Sequence, residues 1–124
     1  MKVCITADEG HRDAAVSARF ARCNYWCFAD TESGELSCEE NRFKQDMHGA
    51  GSEAGEYLAQ HGVEAVITGR VGPNAKRLLD AAGITAYAPS GKSVAEALEA
   101  LRENSDSRAA RATRLNANRP PKNR

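Results

Sequence analysis

Between residues 63 and 102 the chain alternates twice between a short apolar run and a helix-length segment with its own start and stop residues. Val63-Glu64-Ala65-Val66-Ile67-Thr68 is too short for a helix and rich in β-branched residues, which predicts a buried strand. Gly72-Pro73-Asn74 opens a helix with proline in the first turn, where its missing N–H is no loss, and Gly83 closes it. Residues 84–88 form the next strand. Ser93-Val94-Ala95-Glu96 is a capping box at the head of a helix over 94–102. Strands joined by helices must pair in parallel through right-handed crossovers. The expected fold class is therefore α/β, a mixed sheet of about five strands with flanking helices.

The first half completes that sheet. Residues 2–7 read as an apolar strand, followed by a polar stretch (8–13) and an irregular or briefly helical piece to residue 22. Asn24-Tyr25-Trp26-Cys27-Phe28-Ala29 is apolar on both faces, as a central strand is. After the turn chemistry of 30–35, residues 36–42 return antiparallel, making a β-meander. Ala50, Ala54, Tyr57, Leu58 and His61 then form a helical stripe that Gly62 stops.

The 124 residues suffice for one domain, placed at 1–103, with 104–124 as a disordered basic tail. Residues 1–106 hold all 17 acidic groups and 11 of the 17 basic ones. The last stretch carries Arg108, Arg111, Arg114, Arg119, Lys122 and Arg124 without an acid, so nucleic acid could be bound through the tail only. No apolar run reaches the roughly 18–20 residues of a membrane span. The N-terminus lacks a signal-peptide core, so the expected location is cytoplasmic, with no membrane partner.

Two glycine loops enter helices: His48-Gly49-Ala50-Gly51 and Thr68-Gly69-Arg70-Val71-Gly72-Pro73-Asn74. Glycine lets backbone approach a ligand closely, and the free N–H groups of a helix start attract anions. The second loop follows a strand, where open α/β sheets bind ligands. Arg70 adds a charged donor fork, and His48 an imidazole able to ligate metal or donate to an anion. The glycines can equally serve as turns and His48 as a surface residue. Ala86 to Ser93 fits a relaxed P-loop pattern, but Pro89 removes an N–H and the capping box already explains Ser93. Asp8, Glu9, His11 and Asp13 could hold a cation or simply form a charged loop. Cys4, Cys23, Cys27 and Cys38 fit no zinc spacing and read as buried thiols, with a ligand role as the alternative. On a strand, Cys23 and Cys27 would flank Tyr25 on one face.

Several ordered blocks resemble the small NifX-like family of dinitrogenase iron–molybdenum cofactor biosynthesis proteins. Val66 to Ala75 looks like the family's VITGxxGPNA block, His48-Gly49-Ala50-Gly51 its HGAG segment, and Phe20 to Trp26 its FGRAPYF segment. Ala82-Gly83-Ile84 and Ala95 to Leu98 fit its ending. The resemblance implies a ribonuclease-H-like fold without nuclease activity. The implied role is non-catalytic binding, carriage or storage of an anionic metal–sulfur cluster, an iron–molybdenum cofactor precursor or an iron–sulfur relative. Cluster donor and recipient proteins are the implied partners. The positions that would hold the cluster are His48, Gly49, Gly51, Thr68, Gly69, Arg70, Gly72, Asn74 and Arg19, with His48, Cys23 and Cys27 as possible metal ligands. The chain departs from the family in having Arg19 where a histidine often precedes the Phe, and Ala21 for a glycine. The alternative is an interaction or regulatory module of the same fold, without a cluster, using the Arg-rich tail on an acidic partner or nucleic acid. Metal-dependent nuclease chemistry needs converging carboxylates, and the first strand offers only Asp8.

Overall fold

The protein is described here by a computed structural model that covers residues 1–42 and 50–103. His48, Gly49 and the basic tail lie outside the described residues. Eight elements follow in chain order: β1 (Lys2–Ala7), β2 (Tyr25–Asp30), β3 (Leu36–Glu40), α1 (Ala50–Gln60), β4 (Ala65–Ile67), α2 (Pro73–Ala81), β5 (Thr85–Tyr87) and α3 (Val94–Glu103). The sheet order is β3-β2-β1-β4-β5. β2 runs antiparallel to both neighbours, whereas β4 and β5 continue parallel from β1. This is the expected mixed five-stranded α/β sheet.

Side-chain alternation along the strands divides the core into two layers. On one face Cys4, Trp26, Phe28 and Val66 pack against Ala54 and Leu58 of α1 and Leu79 of α2. On the other, Val3, Ile5, Cys27 and Ile67 pack against Val94, Leu98 and Leu101 of α3. β1 is central and covered on both faces, so Val3 to Ala7 are all buried. That explains its unbroken apolar reading, Thr6 excepted.

The parallel strands are shorter than expected because their ends belong to helix caps. Val63 N–H donates to Leu58 O and Gly62 N–H to Ala59 O, a Schellman closure of α1 with Gly62 at φ +73°. Gly83 (φ +79°) ends α2 in the same way, its N–H donating to Asp80 O while that of Ile84 reaches Leu79 O. Both glycines occupy the left-handed region that L-residues avoid. β3 stops at Glu40 because Asn41 turns inward. Residues 8–22 form no helix. They make turns pinned by isolated bridges, Ala7 to Val16 and Ala15 to Ser93.

The capping box forms in full. Ser93 Oγ accepts from Glu96 N–H at 3.1 Å, and Glu96 Oε1 accepts from the N–H groups of Lys92 (2.8 Å) and Ser93 (3.3 Å). Those backbone bonds hold the Glu96 carboxyl below its ordinary pKa. Because the folded pKa is depressed, the contribution is complete above the unfolded carboxylate range and is lost as pH falls through the folded value. Glu96→Gln should therefore flatten the acid limb of stability against pH, measured by urea melts from neutral pH downward. An unchanged acid limb would remove Glu96 from the cap. The same carboxylate fills the start of α3, so the P-loop-like segment presents no open phosphate cradle.

Candidate functional site: an arginine-lined pocket at the start of α2

The site begins at the carboxyl end of β4, where the chain leaves the sheet as the loop 68–72. Thr68 itself is fully buried, and its Oγ1 lies 2.8 Å from that of Thr6 on β1. This hydroxyl pair, between adjacent parallel strands, fixes where the loop departs. Thr68 therefore positions the loop from beneath, and its side chain is not available to a ligand. Thr68→Val should destabilise the fold by about 1 kcal/mol, because it leaves the Thr6 hydroxyl only its long contacts, 3.5 Å each, to Ser17 O and Ile67 O. The double change Thr6→Val with Thr68→Val should cost less than the two singles combined. Strictly additive denaturation midpoints would contradict that pairing.

A second loop, 17–22, is laid against the first. Ser17 N–H donates to Thr6 O (2.8 Å), Gly69 N–H to Ser17 O (3.0 Å), and Phe20 N–H to Arg70 O (3.0 Å). Ser17 Oγ bonds both the N–H and the C=O of Arg19 at 3.2 Å, tightening the turn. The contact explains Gly69: an added Cβ would lie 2.7 Å from Ala18 Cα and 2.9 Å from its carbonyl oxygen. Asn41 holds the far side, its Nδ2 donating to Ala21 O (2.9 Å) and Cys23 O (2.8 Å).

Between the loops lies a pocket of about 320 Å³ lined by Arg19, Phe20, Ala21, Arg22, Arg70 and the first residues of α2, Gly72 to Ala75. Gly72 is the N-cap of α2, in an extended conformation and without a side-chain cap. The first backbone bond of the helix is from Lys76 N–H to Gly72 O, so the N–H groups of Asn74 and Ala75 precede the helical ladder. Asn74 Oδ1 accepts from Arg77 Nη2 at 2.6 Å and does not cap the helix. Three arginines therefore line a pocket at a helix start that no side chain caps. Among the described residues, no Cys, His, Asp or Glu lines the pocket. An adjoining cleft of about 490 Å³ shares Arg19 and Arg22 but contains Asp8, which makes it the poorer anion site.

Four expected site residues thus converge: Arg19, Arg70, Gly72 and Asn74. Gly69 stands behind them as the loop contact. Gly51 lies in the first turn of α1. His48 and Gly49 fall outside the described residues. Cys23 and Cys27 do not share a face as expected. β2 begins only at Tyr25, so Cys23 precedes the strand and packs with Trp26, whereas Cys27 lies on the α3 side. Burial raises the Cys23 thiol to about 12, and burial and Cys38 raise Cys27 well above the usual range. Both therefore stay protonated near neutral pH in the metal-free protein. In the acidic loop, His11 Nε2 meets Glu9 at 2.8 Å and its Nδ1 accepts from Asp13 N–H. Among the described residues no group of three His, Cys, Asp or Glu is placed to hold a metal ion. Sequence reasoning missed Arg22 and Asn41. Arg22 stood in the quoted 20–26 block, but only closure of the two loops brings it to the pocket.

Fold and pocket together define an α/β domain with an arginine-bearing pocket at a helix start. The chain belongs to the dinitrogenase iron-molybdenum cofactor family, whose sequence profile matches residues 1–104. The apo form of the orange protein from Desulfovibrio gigas is 30% identical, with a TM-score of 0.77 over 83% of this chain and 88% of that one. A Thermotoga protein of the DUF35 family, provisionally described as NifB, is 39% identical, with a TM-score of 0.71 over 82% and 87%. An uncharacterized protein of Methanocaldococcus jannaschii is 28% identical over 106 residues, 83% of this chain and 86% of that protein. Among the described residues no helix is long and apolar enough to cross a membrane.

Proposed function

We propose that this chain binds and carries an anionic metal–sulfur cluster of the iron–molybdenum cofactor type as cargo, without transforming it. The observation that supports the reading is the pocket at the uncapped start of α2, whose lining includes Arg19, Arg22 and Arg70. Sulfide and oxygen atoms of such a cluster accept hydrogen bonds, and each bond from a charged donor contributes about 1.5–3 kcal/mol. The arginines and helix start suit an anion, whereas the described residues of the lining include no soft ligand for a metal. A cluster held there keeps its own ligands, so it can be taken from a donor and passed to a recipient without ligand exchange on this chain. Arg19, standing where relatives often have histidine, supports holding by charge. The family's association with the iron–molybdenum cofactor supports the choice of cargo.

The test is an anaerobic titration of the full chain with tetrathiomolybdate, a simple molybdenum–sulfur anion, followed by visible absorption. Saturable binding at one site per chain that weakens as salt rises is expected. Absence of a saturable change, or binding indifferent to salt, would contradict the reading.

A further inference from the structure

Two of the four thiols have a geometric relation that neither the pocket nor the carrier reading uses. Cys27 on β2 stands directly opposite Cys38 on β3 in the antiparallel ladder. The hydrogen bonds at the two ends of this hairpin fix which kind of pair it is. Asp30 N–H donates to Glu35 O, and Asn41 N–H donates to Asn24 O. Hydrogen-bonded pairs alternate with non-hydrogen-bonded ones along an antiparallel ladder. The bonded pairs therefore fall on the even residues of β2, and Cys27 with Cys38 is a non-hydrogen-bonded pair.

At such pairs the Cα atoms are about 4.5 Å apart and the side chains lean together, inside the roughly 4.4–6.8 Å span of disulfides but near its lower limit. Both side chains lie on the α3 face, and Cys38 is close enough to help push the Cys27 thiol up. β3 is an edge strand, and Cys38 at the rim of that layer is half-buried, whereas Cys27 is fully buried beside it. A reagent can reach one sulfur from the edge, and the other is already within contact of it.

We propose that Cys27 and Cys38 form a reversible dithiol–disulfide site, oxidised by low-molecular-weight disulfides and reduced by the matching thiols. The Cys38 thiolate attacks one sulfur of the small disulfide, breaking its S–S bond. A mixed disulfide remains on Cys38, and the first small thiolate leaves, taking up the proton that Cys38 lost. Cys27 then gives up its proton and attacks Cys38 Sγ, expelling the second small thiolate, which takes that proton. Two protein thiols and one small disulfide become one cross-strand disulfide and two small thiols. Cys38, half-buried on the edge strand, is the point of entry, and Cys27, buried opposite it, is the resolving thiol. A bridge near the short limit of the Cα range is strained and hence readily reduced, as a responsive site requires.

The experiment treats the folded full chain with oxidised glutathione and maps the products by peptide mass analysis. The expected product lacks two hydrogens, carries no glutathione, and links the peptides holding Cys27 and Cys38. Dithiothreitol should restore the starting mass. Cys27→Ala should trap glutathione on Cys38, and Cys38→Ser should leave the remaining thiols unmodified while circular dichroism stays native. A link between Cys4 and Cys23, a bridge between chains, glutathione retained on wild-type Cys38, or no reaction at all would each overturn the proposal.

Discussion

Gly69→Ala is expected to destabilise the protein by about 1–3 kcal/mol, lowering Tm by about 5–20 °C for a domain of this size. The reason is steric. The new Cβ would stand 2.7 Å from Ala18 Cα and 2.9 Å from Ala18 O. Both are backbone atoms, tied by the bonds from Gly69 N–H to Ser17 O and from Phe20 N–H to Arg70 O. No rotamer change relieves the contact, so the two loops must separate, and the pocket between them opens. Gly72→Ala is the matched control. An added Cβ there meets nothing within 4 Å, and Gly72 sits at φ −71°, open to any residue. Its stability should fall by only about 0.5–1 kcal/mol, since alanine is a poorer N-cap than glycine but meets no steric barrier here. Equal melting temperatures for the two variants would show that the loops are not held as described.

The second large effect is on binding. Arg70→Ala should weaken tetrathiomolybdate binding roughly 10- to 100-fold, the loss of one or more charged hydrogen bonds worth about 1.5–3 kcal/mol. The fold should survive, because the Arg70 side chain is exposed and its structural bond, to Phe20 N–H, uses the backbone carbonyl. Arg70→Lys should recover part of the affinity, since charge remains while the planar fork is lost. Arg19→Ala should act in the same direction, and the pair should combine less than additively because both groups face one ligand. Calorimetric titration checks the affinities, and circular dichroism checks the fold. Unaltered affinity in Arg70→Ala would remove this loop from the site.

Much of the architecture could be read from residues whose effects are local. Gly62 and Gly83, Pro73 at the start of α2, and the Ser93–Glu96 box each act within a few positions, so they located helix ends that the structure reproduces. The strands between these caps were read too long because Val63 and Ile84 serve cap geometry, a backbone commitment that side-chain pattern does not reveal. The site was half legible. Arg70, Gly72 and Asn74 are consecutive with the helix start that makes them useful. Arg22 reaches the pocket, and Asn41 braces the loop that carries it, through contacts between distant segments that no spacing rule encodes. The cysteines illustrate the same limit. Period-two reasoning put Cys23 and Cys27 on one face, but it applies only inside a strand, and Cys23 is two residues ahead of β2. Thr68 was read as a ligand contact, and only the β1–β4 register reveals its buried partner, Thr6.

The central claim, that an anionic cluster docks between the two loops on the start of α2, is tested most directly by amide chemical-shift mapping. Isotope-labelled full-length protein is titrated anaerobically with tetrathiomolybdate. The account predicts that the largest shifts fall on the amides of Arg70, Asn74 and Ala75 and on residues 19–22, in proportion to saturation, and vanish in Arg70→Ala at the same probe concentration. Largest shifts at Cys23, Cys27 or the acidic loop of Asp8 to Asp13, with the α2 start unmoved, would contradict it.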